Sequence, residues 1–274
     1  MLKRLFSTGL ILTWIGLPAA AQLTPDELAE RENWERFLVE AEMVSSSQPF
    51  ARSHAVSEPF VLELEHNGVS RRGLWKNPEG RVKGYVDYWR FEIAAYRLDK
   101  LLGLNMIPPT VERRFRNVRG SCQLMIENAV NLRTRRKNKL KTPSYRVVPL
   151  NKALYLQRAF DNLIANDDRN EGDLLYTEDW RMVLVDHSRA FRTSKKYTRR
   201  LLNDERSKGG PRLMKRLPRA FVEKLEALTP AAVREAVGEY LKDEEIDAIM
   251  IRRDLILAWL EKYIEKQGED KVLY

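Results

Sequence analysis

Between Ala159 and Phe191 the chain reads AFDNLIANDDRNEGDLLYTEDWRMVLVDHSRAF, a succession of patterns that few folds accommodate. Apolar residues at helical spacing (Leu154, Phe160, Leu163, Ile164) give way to the polar cluster Asn166, Asp167, Asp168, Arg169 and Asn170, so a helix ends in a loop. Leu174 to Tyr176 and Met182 to Val185 then read as two short apolar strands, and the turn residues Thr177 to Asp179 fold one back on the other. A hairpin of that length lets Asp168 and Asp186 face one cleft. Hard divalent cations take oxygen ligands, and magnesium commonly uses one or two carboxylates together with substrate phosphates. Asp173 and Asp186 suit that role, leaving Asp168 to act on a hydroxyl.

These residues resemble a loop found in atypical kinases of the HipA-type, phosphoinositide-kinase and secretory-pathway (casein-phosphorylating Golgi kinase) families, written N-x-D-R-H-x-x-N and followed by a hairpin and a second Asp. Here the loop is Asn166-Asp167-Asp168-Arg169-Asn170-Glu171-Gly172-Asp173, and the later segment is Val185-Asp186-His187-Ser188. Asn170 stands where those kinases usually carry His. Asp173 replaces Asn, which keeps an oxygen ligand. The segment YWRFEIAAYRLDKLLGLNMIPPTVER, Tyr88 to Arg113, resembles the helix and strand of the same kinases in which a helix Glu pairs with an upstream Lys. Glu92 is that Glu. Lys76, at the end of a strand, is the natural partner, with Lys83 in a polar loop as its rival. Leu225 to Val237, Tyr240-Leu241 and Ile249 to Ile256 are also similar to exported bacterial relatives of this group.

The resemblance implies an α+β, two-lobed protein-kinase-like fold with a small β-rich N-lobe (residues 45–128) and a mainly helical C-lobe (residues 129–274). It implies ATP and Mg2+ or Mn2+ as cofactors, with transfer of the γ-phosphoryl group to a hydroxyl on a protein Ser/Thr, a glycan or a small molecule. Asp168 would be catalytic, Asp173 and Asp186 would hold the metal, and Lys76 and Glu92 would position the phosphates. Leu124 to Asn128 would form the connector between lobes, with Glu127 reaching the ribose. The competing expectation is a kinase-like module that binds nucleotide or another ligand without chemistry. It draws on two departures: Asn170, and the lack of any glycine in residues 45–59, which leaves phosphate grip from that side to Ser45 to Ser47, Ser53 or Ser57. The scarcity of ATP outside the cytoplasm favours it too.

Composition bounds the remainder. A chain of 274 residues, 43% hydrophobic, buries a substantial core. Lys3 and Arg4 precede the apolar run Leu10 to Leu17, which ends at Pro18-Ala19-Ala20-Ala21. This reads as an export signal cleaved after Ala21, too short to span a bilayer, and implies a soluble periplasmic or secreted protein. Cys122, the only cysteine, excludes an intramolecular disulfide and lies in an apolar strand-like run as a small core residue. Three histidines without ligand spacing exclude a zinc site.

The net charge of +9 is concentrated in two runs, Arg133 to Lys141 and Arg189 to Arg200. The first is a solvated loop or a surface for anionic partners. The second borders the acceptor site in kinases, which makes Arg192, Lys195 and Lys196 candidates for recognising an acidic acceptor. A basic scaffold for anionic polymers would use both runs but leave the aspartates unexplained. No nucleic-acid-binding motif accompanies them.

Local signals place a helix from Thr24-Pro25 to about Met43, with Glu27 at capping-box spacing. A hairpin turns at Asn67-Gly68. Further helices are expected at about 149–165, 217–227, 230–242 and 244–266.

Overall fold

The computed structural model describes residues 23–49, 59–82, 85–202 and 214–274. The expected export signal, Ser53, Ser57 and Lys83 lie outside these residues. Thr24 caps the first helix as its spacing predicts: its hydroxyl accepts from the Glu27 N–H, and the Glu27 carboxylate accepts from the Thr24 N–H at 2.6 Å. The expected single helix to Met43 is two pieces, α1 (Pro25–Ala29) and α2 (Arg31–Glu40), and strand β1 (Glu42–Ser47) follows at once. Ser45 to Ser47, the serines offered for phosphate grip, belong to that strand. Serine is a poor strand former only where packing does not decide, and β1 gains its register by pairing with β2 (Phe60–His66).

Strand β2 turns at Asn67-Gly68, both at positive φ as a tight hairpin requires, into β3 (Val69–Lys76). A second hairpin, β4 (Glu79–Val82) and β5 (Tyr85–Tyr88), feeds α3 (Trp89–Leu102). Strands β6 (Thr110–Phe115) and β7 (Val118–Leu124) complete an antiparallel sheet in the order β1-β2-β3-β7-β6. Leu38 and Phe37 of α2 pack on it with Leu62, Leu64, Trp75, Phe115 and Cys122. Cys122 is fully buried, as expected, and burial pushes its thiol up to about 12.

Beyond the connector, β8 (Val130–Asn131) pairs with the hairpin β9 (Leu174–Tyr176) and β10 (Met182–Leu184). The first basic run begins in a short helix, α4 (Leu132–Lys137), and continues as loop, with Arg133, Arg136, Lys137, Lys139 and Lys141 exposed. Arg135 is buried in it, with its guanidinium over the rings of Tyr176 and Trp180. Helix α5 (Ser144–Ile164) begins earlier than expected and carries Pro149 inside its N-terminal part. Next come α6 (Lys195–Thr198), α7 (Arg219–Glu226), α8 (Pro230–Val237), the long α9 (Asp243–Gln267) and α10 (Glu269–Val272). Gly238, at positive φ, ends α8 before the expected 242.

The helical lobe has a second core, to which α3 contributes Phe91, Ile93, Leu98 and Leu102 beside Leu156, Phe160 and Leu163 of α5 and Ile249 and Ile256 of α9. Helix α3 therefore links the sheet to the helical lobe. The molecule is α+β, a sheet lobe joined to a helical lobe, as the sequence leads one to expect. Among the described residues no helix is long and apolar enough to cross a membrane.

Candidate functional site

Lys76 ends β3, the central strand of the sheet, where its side chain can turn toward the helical lobe. A side chain at Gly120 on the neighbouring β7 would place its Cβ 2.4 Å from the Lys76 carbonyl oxygen, so glycine permits the close strand approach there. The ammonium donates to Glu92 Oε1 at 2.8 Å and to Asp186 Oδ1 at 2.9 Å. Lys76 and Glu92 are both nearly inaccessible to solvent. Burial opposes the charged ammonium, but the carboxylates of Asp186 and Glu92 outweigh it and hold Lys76 above the usual lysine range. Burial would likewise raise Glu92, yet Lys76 and His187 hold it well below the ordinary glutamate range. The second Glu92 oxygen accepts from the His187 backbone N–H at 2.9 Å. One helix carboxylate thus holds both the strand lysine and the segment that carries Asp186.

Helix α5 ends at Ala165, a left-handed residue that turns the chain into the acidic loop. Arg169 fixes that loop. Its guanidinium makes two bonds to Asp161, at 2.9 and 3.0 Å, and a third to the Val185 carbonyl at 2.5 Å. This buried ion pair ties the end of α5 to the far strand of the hairpin. Asn170, which occupies the position of the usual His, donates from its amide to Asp173 Oδ2 at 2.7 Å, and its backbone N–H donates to the same oxygen at 3.0 Å.

Asp186 is exposed to the cleft and sits at φ 61°, a left-handed conformation uncommon for a non-glycine residue and concentrated at functional sites. Burial and the neighbouring Asp186 charge push Asp173 up to about 7. Burial also raises Asp168, against the Arg189 guanidinium and with a contribution from Asp186. These carboxylates therefore share one electrostatic site. Among the described residues no three His, Cys, Asp or Glu side chains converge as a metal cluster.

Asp168 accepts from Arg189 Nη1 at 2.9 Å, and Arg189 Nε reaches the buried Asp87 of β5 at 3.4 Å. Glu127 does not join the cluster. It lies in the connector paired with Arg72 of β3, Nε to Oε1 at 3.1 Å, and that bond lowers its pKa. Lys196 Nζ stands 3.4 Å from Asp167 Oδ2, and the Tyr197 hydroxyl donates to the same oxygen. Lys195 is exposed, and the Arg192 carbonyl accepts from Arg252 at 2.7 Å. Sequence reasoning missed Arg189, Asp87 and His187. Arg189 was absorbed into a basic run, and its one available signal was its position three residues after Asp186.

Comparison with solved structures decides the architecture. A Fam20 protein of Hydra, solved with a sugar, superposes with a TM-score of 0.67 over 94% of this chain and 95% of its own, at 14% identity. The Golgi casein kinase with Mn/ADP bound gives 0.63 over 93% of this chain and 80% of its own, at 16% identity. This is an atypical kinase-like fold. The Helicobacter pylori proinflammatory kinase CtkA shares it more distantly, with a TM-score of 0.52 over 83% of this chain and 98% of its own, at 11% identity. No protein-family model matches the chain, and no curated relative matches it. The Lys76–Glu92 pair joins the sheet lobe to the helical lobe, Asp186 touches it through Lys76, and Asp168 and Asp173 feel the Asp186 charge.

Proposed function

We propose that this protein is a metal-dependent phosphotransferase that moves the ATP γ-phosphoryl group to a hydroxyl acceptor. The observation that carries this reading is the buried Lys76 ammonium held at 2.8 Å by Glu92 and at 2.9 Å by Asp186. A structural ion pair needs one carboxylate, whereas a lysine shared between a helix and a cleft-facing aspartate is poised to meet phosphate oxygens. Asp173 and Asp186 would hold Mg2+ or Mn2+, which when bound neutralises phosphate charge. The Mn/ADP bound to the Golgi casein kinase and the sugar in the Hydra protein are compatible with this chemistry.

Asp168 accepts the acceptor proton. The acceptor oxygen then bonds to the terminal phosphorus, and the bond from that phosphorus to its bridging oxygen breaks with the electron pair leaving on ADP. The acceptor is a protein Ser/Thr, a glycan or a small molecule. Lys196 beside the acidic loop supports an acceptor with negative charge, with Arg192 and Lys195 on the same segment. The connector around Glu127 is the place for adenine and ribose. The basic and apolar N-terminal pattern supports export, and the chain would act in the periplasm or outside the cell.

The test is thermal stabilisation by ATP with Mg2+ or Mn2+. The parent is expected to gain several degrees, and Asp186→Asn to gain none relative to its own melting temperature without nucleotide, which loss of a Lys76 partner lowers. Equal stabilisation of the two proteins would sink the metal assignment.

A further inference from the structure

The Arg189 guanidinium joins two elements that approach the site from opposite sides. Nη1 meets Asp168 at 2.9 Å on the acidic loop, and Nε approaches Asp87 at 3.4 Å on β5, just before α3. The Arg189 side chain is largely buried, and Asp87 is almost wholly so. The backbone around it is fixed as well: the Tyr88 N–H donates to the Ser188 carbonyl at 2.8 Å, which lashes the start of α3 to the segment carrying Arg189. This arginine is held in place rather than waving in solvent.

Its position matters for charge. On the nucleotide side, the single Lys76 ammonium is already matched by Glu92 and Asp186. Arg169 is committed to Asp161 and to the Val185 carbonyl. The path from Asp186 to Asp168 is short enough for their charges to repel, and Arg189 places a cation on the Asp168 side of it. Residues 45–59 contain no glycine, so the close backbone wrapping of phosphates that a glycine-rich loop provides is not available from that sequence.

Building on the phosphotransferase reading, we infer that Arg189 is a catalytic residue that contacts the terminal phosphoryl group and follows it from nucleotide to acceptor. A planar guanidinium serves carboxylate and phosphoryl oxygens at once, and charge spread over the transferring group is stabilised by such a fork. Asp87 and Asp168 aim it. The negative charge that Arg189 neutralises on Asp168 in the resting protein is then exchanged for charge on the phosphoryl oxygens, leaving Asp168 to take the acceptor proton.

The test compares affinities for ATP and ADP, each with Mn2+, in the parent, Arg189→Ala and Arg189→Lys, with melting temperatures measured on the same samples. The parent is expected to prefer ATP by about tenfold or more, the scale of one charge-assisted contact. In Arg189→Ala the preference should vanish while ADP affinity stays within about twofold, and Arg189→Lys should fall between, because it keeps the charge and loses the fork. An equal loss of ATP and ADP affinity, or an unchanged preference, would show Arg189 to be a strut between Asp87 and Asp168 and overturn the inference. A parent that binds both nucleotides equally would also overturn it, leaving the phosphotransferase reading intact. A parent that binds neither would remove that reading and this one together.

Discussion

Replacing Lys76 by Met deletes a buried cation while keeping most of its volume. Glu92 then stays buried with a formal charge that is met by the His187 backbone N–H at 2.9 Å and, among the described residues, by no cation in contact. Breaking one side of a buried ion pair typically costs about 3–5 kcal/mol. For a chain of this size that corresponds to a fall in melting temperature on the order of 10 °C. The pH dependence gives the mechanism away. In the parent, Glu92 is held below its unfolded value by Lys76, so its stabilisation is present above the unfolded glutamate pKa and is lost only as pH falls through the lowered one. In Lys76→Met the burial term is unopposed, Glu92 titrates upward, and the deficit is greatest near pH 7 and shrinks toward pH 5. Urea denaturation of the parent, Lys76→Met, Glu92→Gln and the double variant at both pH values measures this directly. The double variant should recover part of the loss, because no unpaired buried charge remains: the Asp186 carboxylate that also loses Lys76 is exposed. A Lys76→Met deficit below about 1 kcal/mol, or strict additivity in the double variant, would refute the reasoning.

Two further outcomes follow from the same electrostatics. Asp168→Ala should leave ATP affinity within a few-fold and lower turnover by roughly a hundredfold or more, the scale of a lost general base, as read by comparing nucleotide titration with turnover per folded molecule. Burial raises Asp99, at the end of α3, to about 7, so the folded state binds a proton there that the unfolded state releases near the ordinary value. The resulting stability is present at low pH and is lost as pH rises through about 7. Asp99→Asn, which can still accept from the Met106 N–H as Asp99 does at 2.8 Å, should flatten the fall in melting temperature between pH 5 and pH 8.

The parts of the site that the sequence announces are those where residue type and element type are forced together. A lysine closing a strand, a glutamate one turn into a helix, and aspartates at both ends of a short hairpin each have a chemical reason to be where they are. The register of Asn67-Gly68 and the Thr24 capping box are legible because only local geometry decides them. What stays hidden depends on tertiary placement. Ser45 to Ser47 carry no local strand signal, and β2 supplies their hydrogen-bond partners. Pro149 looks like a helix start, although the chain before it is already helical in an exposed stretch that tolerates the lost N–H. Arg135 and Arg189 look like ordinary members of basic runs, yet one is stacked between aromatic rings and the other is pinned between two aspartates. The exposed pair of Glu127 with Arg72 depends on a strand whose neighbours no local pattern reveals.

The most direct measurement is transfer of labelled γ-phosphate from ATP, with Mn2+ and then with Mg2+, to the protein itself and to a broad panel of hydroxyl acceptors including acidic peptides and glycans. Label should appear on at least one acceptor with the parent and be abolished in Asp186→Asn. Nucleotide binding without transfer to any acceptor would contradict the enzymatic reading and leave a kinase-like fold that binds nucleotide without chemistry.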